Sequence, residues 1–207
     1  MQKILSQKED TKIRYIALIS YATGMIRGEI LGLRESYIDY TNLEIRIRRN
    51  LVTTFVYDDD GNKHKETFLD ETKTHTSVRY IPLPYNLIPI IKSAIALKKK
   101  DMLKCGDSYN RTNKDFIFLT EAGEYIDAGN IDKSWIYFLK RCKVDHLKFH
   151  ALRLRHTYAT LQFENNIRVE TVSKLLGYAS IEITSNIYTH VMKKEKQKTV
   201  DTLALLN

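Results

Sequence analysis

The sequence predicts an α+β fold, mostly helical, with a small antiparallel β-sheet near residues 43–83. Three observations predict it. Apolar residues recur at helical spacing on both flanks of the chain, the period changes to two between Leu43 and Leu83, and the strand region holds the turn signal Asp58-Asp59-Asp60-Gly61-Asn62. The first helix is expected over 8–23, where Ile13, Ile16, Ala17, Ile19 and Tyr21 make a broad apolar face and Thr23-Gly24 stops it. Ile30, Leu31 and Leu33 suggest a short second helix over 26–33.

Leu43, Ile45 and Ile47 alternate with Glu44, Arg46 and Arg48, the pattern of a half-buried strand. The β-branched and aromatic run Leu51 to Tyr57 leads into the turn, and a strand near Lys65 to Leu69 returns from it. Val78 to Leu83 is a further strand, ended by Pro82 and Pro84. A long helix is expected over 86–104, with a basic end that suits the helix dipole. Phe116 to Leu119 reads as a short extended run. Helices are then expected over 130–142, Leu152 to Phe163, Val169 to Leu176, Ile181 to Tyr188 and 192–206. No repeat, low-complexity tract or linker divides the chain, so 1–207 is expected to be a single domain.

Composition narrows the function. Hydrophobic residues make up 43% and charged residues 28% of the 207, which fits a folded globular chain. The longest mostly apolar stretch, Tyr15 to Ile26, is interrupted and too short to span a bilayer, which takes about 20 apolar residues. Ile4 and Leu5 give way at once to polar residues, unlike a secretory signal. With Cys105 and Cys142 alone there is no disulfide framework, and a reducing cytoplasm is the expected compartment. No Cys/His spacing suggests zinc and no phosphate-binding glycine loop is present, so no cofactor or metal is expected.

The formal charge is +8, which suits a polyanionic partner. The positive residues cluster at Arg46, Arg48 and Arg49, at Lys98, Lys99 and Lys100, and along Lys140 to Arg155. Such patches match phosphate backbones, although any one of them also fits a solvated face.

The last third concentrates the chemistry: His150, Arg153, Arg155, His156, Tyr178, Tyr188 and His190, with no acidic pair among them. Two-carboxylate and two-metal hydrolysis are disfavoured. Arginine offers a planar, permanently charged fork to phosphate oxygens, histidine moves protons near neutral pH, and a tyrosine phenolate can attack phosphorus.

The segment His150-Ala-Leu-Arg153-Leu-Arg155-His156-Thr157, then Leu175-Leu176-Gly177-Tyr178, then Ile187-Tyr188-Thr189-His190, resembles the catalytic domain of the tyrosine recombinases, the phage integrase family. Ala22 to Leu33 resembles the first box of that family, and Thr72 to Pro84 the hairpin that carries its catalytic lysine.

The resemblance implies a mechanism. Tyr188 would attack a DNA phosphodiester and form a 3′-phosphotyrosine link, releasing a 5′-hydroxyl. A second 5′-hydroxyl would then resolve that link. Arginines would hold the non-bridging oxygens, Lys73 would be the general acid, and His150 would assist proton transfer or bind phosphate. Tyr178 stands where the family usually has His or Trp, and its hydroxyl suits either phosphate or the core. Glu29 would orient a neighbouring basic side chain, while His156 and His190 read as structural. The implied partner is double-stranded DNA, bound by a homotetramer on two duplexes, with the isolated domain a monomer and no membrane involved. The family's N-terminal core-binding domain is expected to be absent from 1–207.

The sequence departs from the family in two places. The first box usually reads Thr-Gly-x-Arg-x-x-Glu, but Ile26 stands at the arginine position and the arginine follows at Arg27. One residue on a helix is about 100° of rotation. A Leu-Arg insertion also leaves two candidates for the later arginine. The longer downstream match favours Arg155, and the count from His150 gives Arg153 as the alternative. These departures leave room for a DNA-binding protein with an impaired recombinase fold. A type IB topoisomerase-like nicking enzyme and a plain RNA- or DNA-binding module are further alternatives.

Overall fold

The computed structural model of the chain describes residues 6–71, 78–144 and 152–178, together with Ile181, Glu182, Thr184, Ser185, Tyr188 and Thr189. Its first helix, α1 (Lys12–Thr23), buries Ile13, Tyr15, Ile16, Ala17, Leu18, Ile19, Ser20 and Thr23. A helix apolar on most of its circumference belongs inside the protein. Gly24 ends α1 in the left-handed conformation, φ 69°, and its N–H donates to the Ser20 carbonyl at 2.9 Å. The short helix α2 (Arg27–Leu31) follows at once, buried through Glu29, Ile30 and Leu31.

The predicted β region forms two antiparallel sheets rather than one. β1 (Ile38–Asp39), β2 (Glu44–Ile47) and β5 (Arg79–Pro82) make a three-stranded sheet in the order β1-β2-β5. Ile38, Ile45 and Ile81 share one face through the pairings Ile38↔Ile45 and Ile45↔Ile81, and all three are buried. Among the described residues β3 (Arg49–Tyr57) and β4 (Lys63–Glu71) pair only with each other, over nine positions from Arg49↔Glu71 to Tyr57↔Lys63. The Asp58 carboxylate closes this ribbon by accepting the N–H groups of Asp60 and Asn62 at 3.1 and 2.7 Å. Alternation located the strands, but the central strand β2 chooses β1 and β5 as partners over its chain neighbour β3, a choice set by long-range packing.

α3 (Ile88–Cys105) and α4 (Ala128–Arg141) pack with α1 around the main core, which includes Ile19, Met25, Leu33, Ile45, Leu87, Ile91, Phe118, Trp135 and Phe138. Phe116 to Leu119, expected as a short extended run, is buried and holds one bridge, Arg34↔Phe116, with the Ile117 N–H on the Leu33 carbonyl at 3.0 Å. The expected basic cluster at Lys98–Lys100 is not a uniform patch. Lys98 is buried, with its ammonium on the Glu35 carboxylate and the Lys114 carbonyl.

α5 (Leu152–Glu164) lies along α1, and α6 (Val169–Leu176) packs against both α5 and β5. A second cluster of Tyr158, Ala159, Phe163, Val172 and Leu176 fills the space between α5 and α6. The helix expected over Ile181 to Tyr188 is described at six positions from 181 to 189, and the one over 192–206 lies outside the described residues. Among the described residues no helix is long and apolar enough to cross a membrane.

Candidate active site

Two left-handed glycines bring the site together. Gly24 turns the chain from α1 into the first box, and Gly177, φ 69°, turns it out of α6 toward Tyr178. A helix C-terminus leaves carbonyls without intrahelical partners and carries partial negative charge, so it attracts cations. At the end of α6 two arginines fill that need. Arg79 Nε donates to the Leu175 carbonyl at 2.8 Å, and Arg155 Nη2 donates to the Leu176 carbonyl. Arg155 Nη1 also donates to the Gly24 carbonyl at 3.0 Å, so one guanidinium joins both turns.

Arg155 is 7% exposed. Its Nε donates to the Tyr178 hydroxyl at 3.2 Å, and its Cζ lies 4.5 Å from the Tyr178 ring centroid. The tyrosine therefore holds the guanidinium both by its oxygen and by the face of its ring. Because that oxygen accepts from Arg155, its own proton remains available to a further acceptor. Arg155 has five N–H bonds and directs three at these partners, and the other two have no hydrogen-bond partner among the described residues.

Glu29 lies beside this arginine. Its carboxylate is bidentate with Arg79, Nη1 to Oε1 at 2.6 Å and Nη2 to Oε2 at 2.9 Å. Oε2 also accepts the Ile26 N–H at 3.0 Å and sits 3.9 Å from Arg155 Nη1. The basic side chain that Glu29 orients is Arg79. In the sequence Arg79 stands inside the hairpin box, and the resemblance assigns it no role. The available signal is the Lys-Thr-x-x-Ser-x-Arg run, in which a strand with one buried position, Ile81, begins with an arginine.

Arg27 does not join this group. As the first residue of α2 it points to α4, where Nη1 donates to Asp132 Oδ1 at 2.5 Å and to the Ala128 carbonyl at 3.3 Å. Ile26, at the family's arginine position, is the N-cap residue of α2 and offers no side-chain donor. The N-terminus of α4 also receives the β3–β4 ribbon. Lys65 Nζ lies 2.5 Å from Asp127 Oδ2, and the Ala128 N–H donates to Thr53 Oγ1 at 3.3 Å. Lys65, together with the Gly129 and Asn130 N–H groups, holds the Asp127 carboxyl below its usual range.

Tyr188 is half-buried and packs on the cluster between α5 and α6, with its ring edge-to-face on Phe163 at 5.3 Å. Tyr178 borders the same cluster. Burial pushes the neighbouring Tyr158 phenol up, which keeps it a protonated packing group. His156 is exposed. Lys73, His150, His190 and the Arg153 side chain lie outside the described residues. The structure thus brings together Arg155, Tyr178, Glu29 and Arg79, places Tyr188 against the same aromatic cluster, and sets Arg27 apart. Among the described residues no group of three or more His, Cys, Asp or Glu side chains could hold a metal ion.

The family model described as the phage integrase family matches residues 1–195. A XerC-like tyrosine recombinase of Caldanaerobacter subterraneus subsp. tengcongensis is 39% identical over 204 residues, 98% of this chain and 52% of that protein. The integrase of Staphylococcus phage L54a is 30% identical over 172 residues, 83% of this chain and 46% of that protein. The chain spans about half the length of the curated relatives it matches. Among solved structures, the Tn1549 transposon integrase in complex with transposon right end DNA superposes with a TM-score of 0.72 at 20% identity, covering 98% of this chain and 62% of that one. XerA recombinase superposes with a TM-score of 0.66 at 19% identity, covering 96% and 62%. These structural likenesses establish the fold.

Proposed function

Because the chain belongs to the phage integrase family, we propose that it is the catalytic domain of a site-specific tyrosine recombinase that cuts and rejoins double-stranded DNA. The observation that carries this reading is the buried guanidinium of Arg155. It is fixed by the turn after α1, the turn after α6 and Tyr178, and keeps two N–H bonds for a phosphate.

In this reading the Tyr188 hydroxyl gives its proton to His150 as its oxygen attacks the scissile phosphorus. The phosphorus–O5′ bond breaks, and O5′ leaves with a proton from Lys73 as general acid. The phosphate stays joined to the 3′ end of the cut strand through Tyr188. A second 5′-hydroxyl then attacks the same phosphorus, the tyrosine–phosphorus bond breaks, and the phenol recovers a proton. Each step exchanges one phosphoester bond for another, so the free energy of the bond is conserved. Arg155 and the Tyr178 hydroxyl bind the non-bridging oxygens and stabilise the charge of the transition state, with His150 assisting. Four protomers on two duplexes, acting in the cytoplasm, complete the proposal.

A second reading is DNA binding with impaired cleavage. It is supported by one observation, the Arg27 guanidinium committed to Asp132 and Ala128.

Covalent trapping tests both. Nicked duplexes from the ends of the host element are incubated with the protein and resolved on a denaturing gel. A DNA-linked band is expected that disappears in Tyr188→Phe. It should strengthen by about 10²–10³-fold when Ile26→Arg and Arg27→Ile are combined, the gain of one transition-state donor. DNA binding with no covalent band in either version would overturn the recombinase reading. Relaxation of plasmid without sequence preference would favour topoisomerase-like nicking.

A further inference from the structure

We propose that Arg79 is a positioning residue that keeps Glu29 from closing on Arg155, so that Arg155 stays free to bind a phosphate. The inference rests on the recombinase reading for the identity of that phosphate.

The geometry states the problem. Glu29 lies between two guanidiniums in a nearly dry pocket, where the Glu29, Arg79 and Arg155 side chains are 10%, 9% and 8% exposed. A buried carboxylate takes the strongest cationic partner within reach. Arg155 Nη1 is 3.9 Å from Oε2, beyond a hydrogen bond but close enough to close by a side-chain rotation. Closing would spend on Glu29 N–H capacity that would otherwise serve a phosphate. Arg79 prevents this by holding both carboxylate oxygens, and the Ile26 N–H takes a further lone pair.

Charge points the same way. Two guanidiniums and one carboxylate leave one positive charge for the phosphate, and without Arg79 the pair Glu29–Arg155 is neutral. Arg79 is itself fixed from a third side. Its Nε holds the Leu175 carbonyl, and Gly177 leaves the room it occupies, since a Cβ there would stand 2.8 Å from Arg79 Nη1. One side chain therefore ties β5 to the first box and to the end of α6, next to the carbonyl that holds Arg155.

The test compares Arg79→Gln, Arg79→Lys and the double variant Glu29→Gln/Arg79→Gln. The probe is inorganic phosphate, read as the rise in unfolding temperature that it causes and that Arg155→Gln removes. The second readout is the rate of covalent linkage to the nicked duplex. Arg79→Gln is expected to lose the Arg155-dependent rise and to slow linkage by about 10²-fold, the effect of a misplaced reacting group. The double variant is expected to regain both, because no carboxylate remains to capture Arg155, and Arg79→Lys to fall between.

A double variant as poor as Arg79→Gln would overturn the proposal, since loss of packing alone is not repaired by a second substitution. An Arg79→Gln protein that keeps the full phosphate response, or an unaltered chain with no Arg155-dependent response, would also overturn it. If Arg79→Gln does not fold, the lysine variant and the double variant decide. If phosphate binds through Arg155 and no version forms a DNA adduct, the recombinase reading fails, and the phosphate readout still decides the role of Arg79.

Discussion

Two ion pairs leave the same short helix in opposite directions. Glu29 turns inward to Arg79, bidentate, with both side chains about one-tenth exposed. Arg27, two residues earlier, turns outward to Asp132 through a single nitrogen, with side-chain exposures of 35% and 59%. An inward pair in low dielectric fixes geometry and is costly to break from one side, whereas an outward pair contributes about 0–1 kcal/mol. The first box therefore delivers its acid to the site and its arginine to the surface of α4. Two positions, about 200° around the helix, separate these two fates.

The largest expected effect lies in the inward region. Arg155→Gln leaves the Gly24 and Leu176 carbonyls and the Tyr178 hydroxyl without their cation. Covalent linkage to DNA should fall by at least about 10²–10³-fold, as for the loss of one transition-state donor. A gel-based rate measurement checks it. Linkage at the native rate would break the comparison by showing that the phosphate binds elsewhere.

Gly24→Ala should come next. The new Cβ would lie 2.6 Å from Tyr158 Cδ1 and 2.7 Å from Leu176 Cδ2, on a backbone with φ 69°. Strain of this kind costs about 1–3 kcal/mol, so the unfolding midpoint drops. The Gly24 carbonyl also shifts off Arg155, so cleavage should fall further than stability alone explains.

The outward region has a pH signature at Asp127, which caps α4 and faces Lys65. Its folded pKa is depressed, first by the hydrogen bond from Lys65. A depressed carboxyl contributes stability above its unfolded pKa, which disappears as pH falls through the folded value. Acid unfolding curves below about pH 4 should therefore be shallower in Asp127→Asn than in the unaltered chain, and the two should keep a constant difference near neutrality. Unchanged acid curves would show that the Lys65 contact does not anchor the ribbon to α4.

The contrast between the regions also explains what was legible in the sequence. Gly24 could be read because a helix stop is local, and the preference for Arg155 over Arg153 rests on downstream spacing, which is local too. The helix over Val169–Leu176 matched its observed bounds for the same reason. The Glu29–Arg79 pair spans 50 residues, and nothing within either segment names the other. The separation of the β3–β4 ribbon from the β1-β2-β5 sheet was equally hidden, because alternation locates strands and leaves their partners open. The shift of Arg27 was visible as a rotation, but its acceptors, Asp132 and Ala128, lie about a hundred residues further along the chain.

The smallest expected effect separates the two explanations for where Arg27 points. Either Asp132 draws the side chain away from the site, or the backbone sends it outward and Asp132 only receives it. The local geometry favours the second. Glu29 fixes the Ile26 N–H at 3.0 Å, so the start of α2 is set from inside, and Arg27 occupies its first position whatever lies on α4. Asp132→Asn should then change stability by less than about 1 kcal/mol and leave the rate of DNA linkage unaltered, while the exchange of residues 26 and 27 raises it. A faster Asp132→Asn protein would reverse the argument. The surface pair would then be a restraint that holds a usable arginine away from the phosphate, and the inward and outward regions would be two positions of one working side chain.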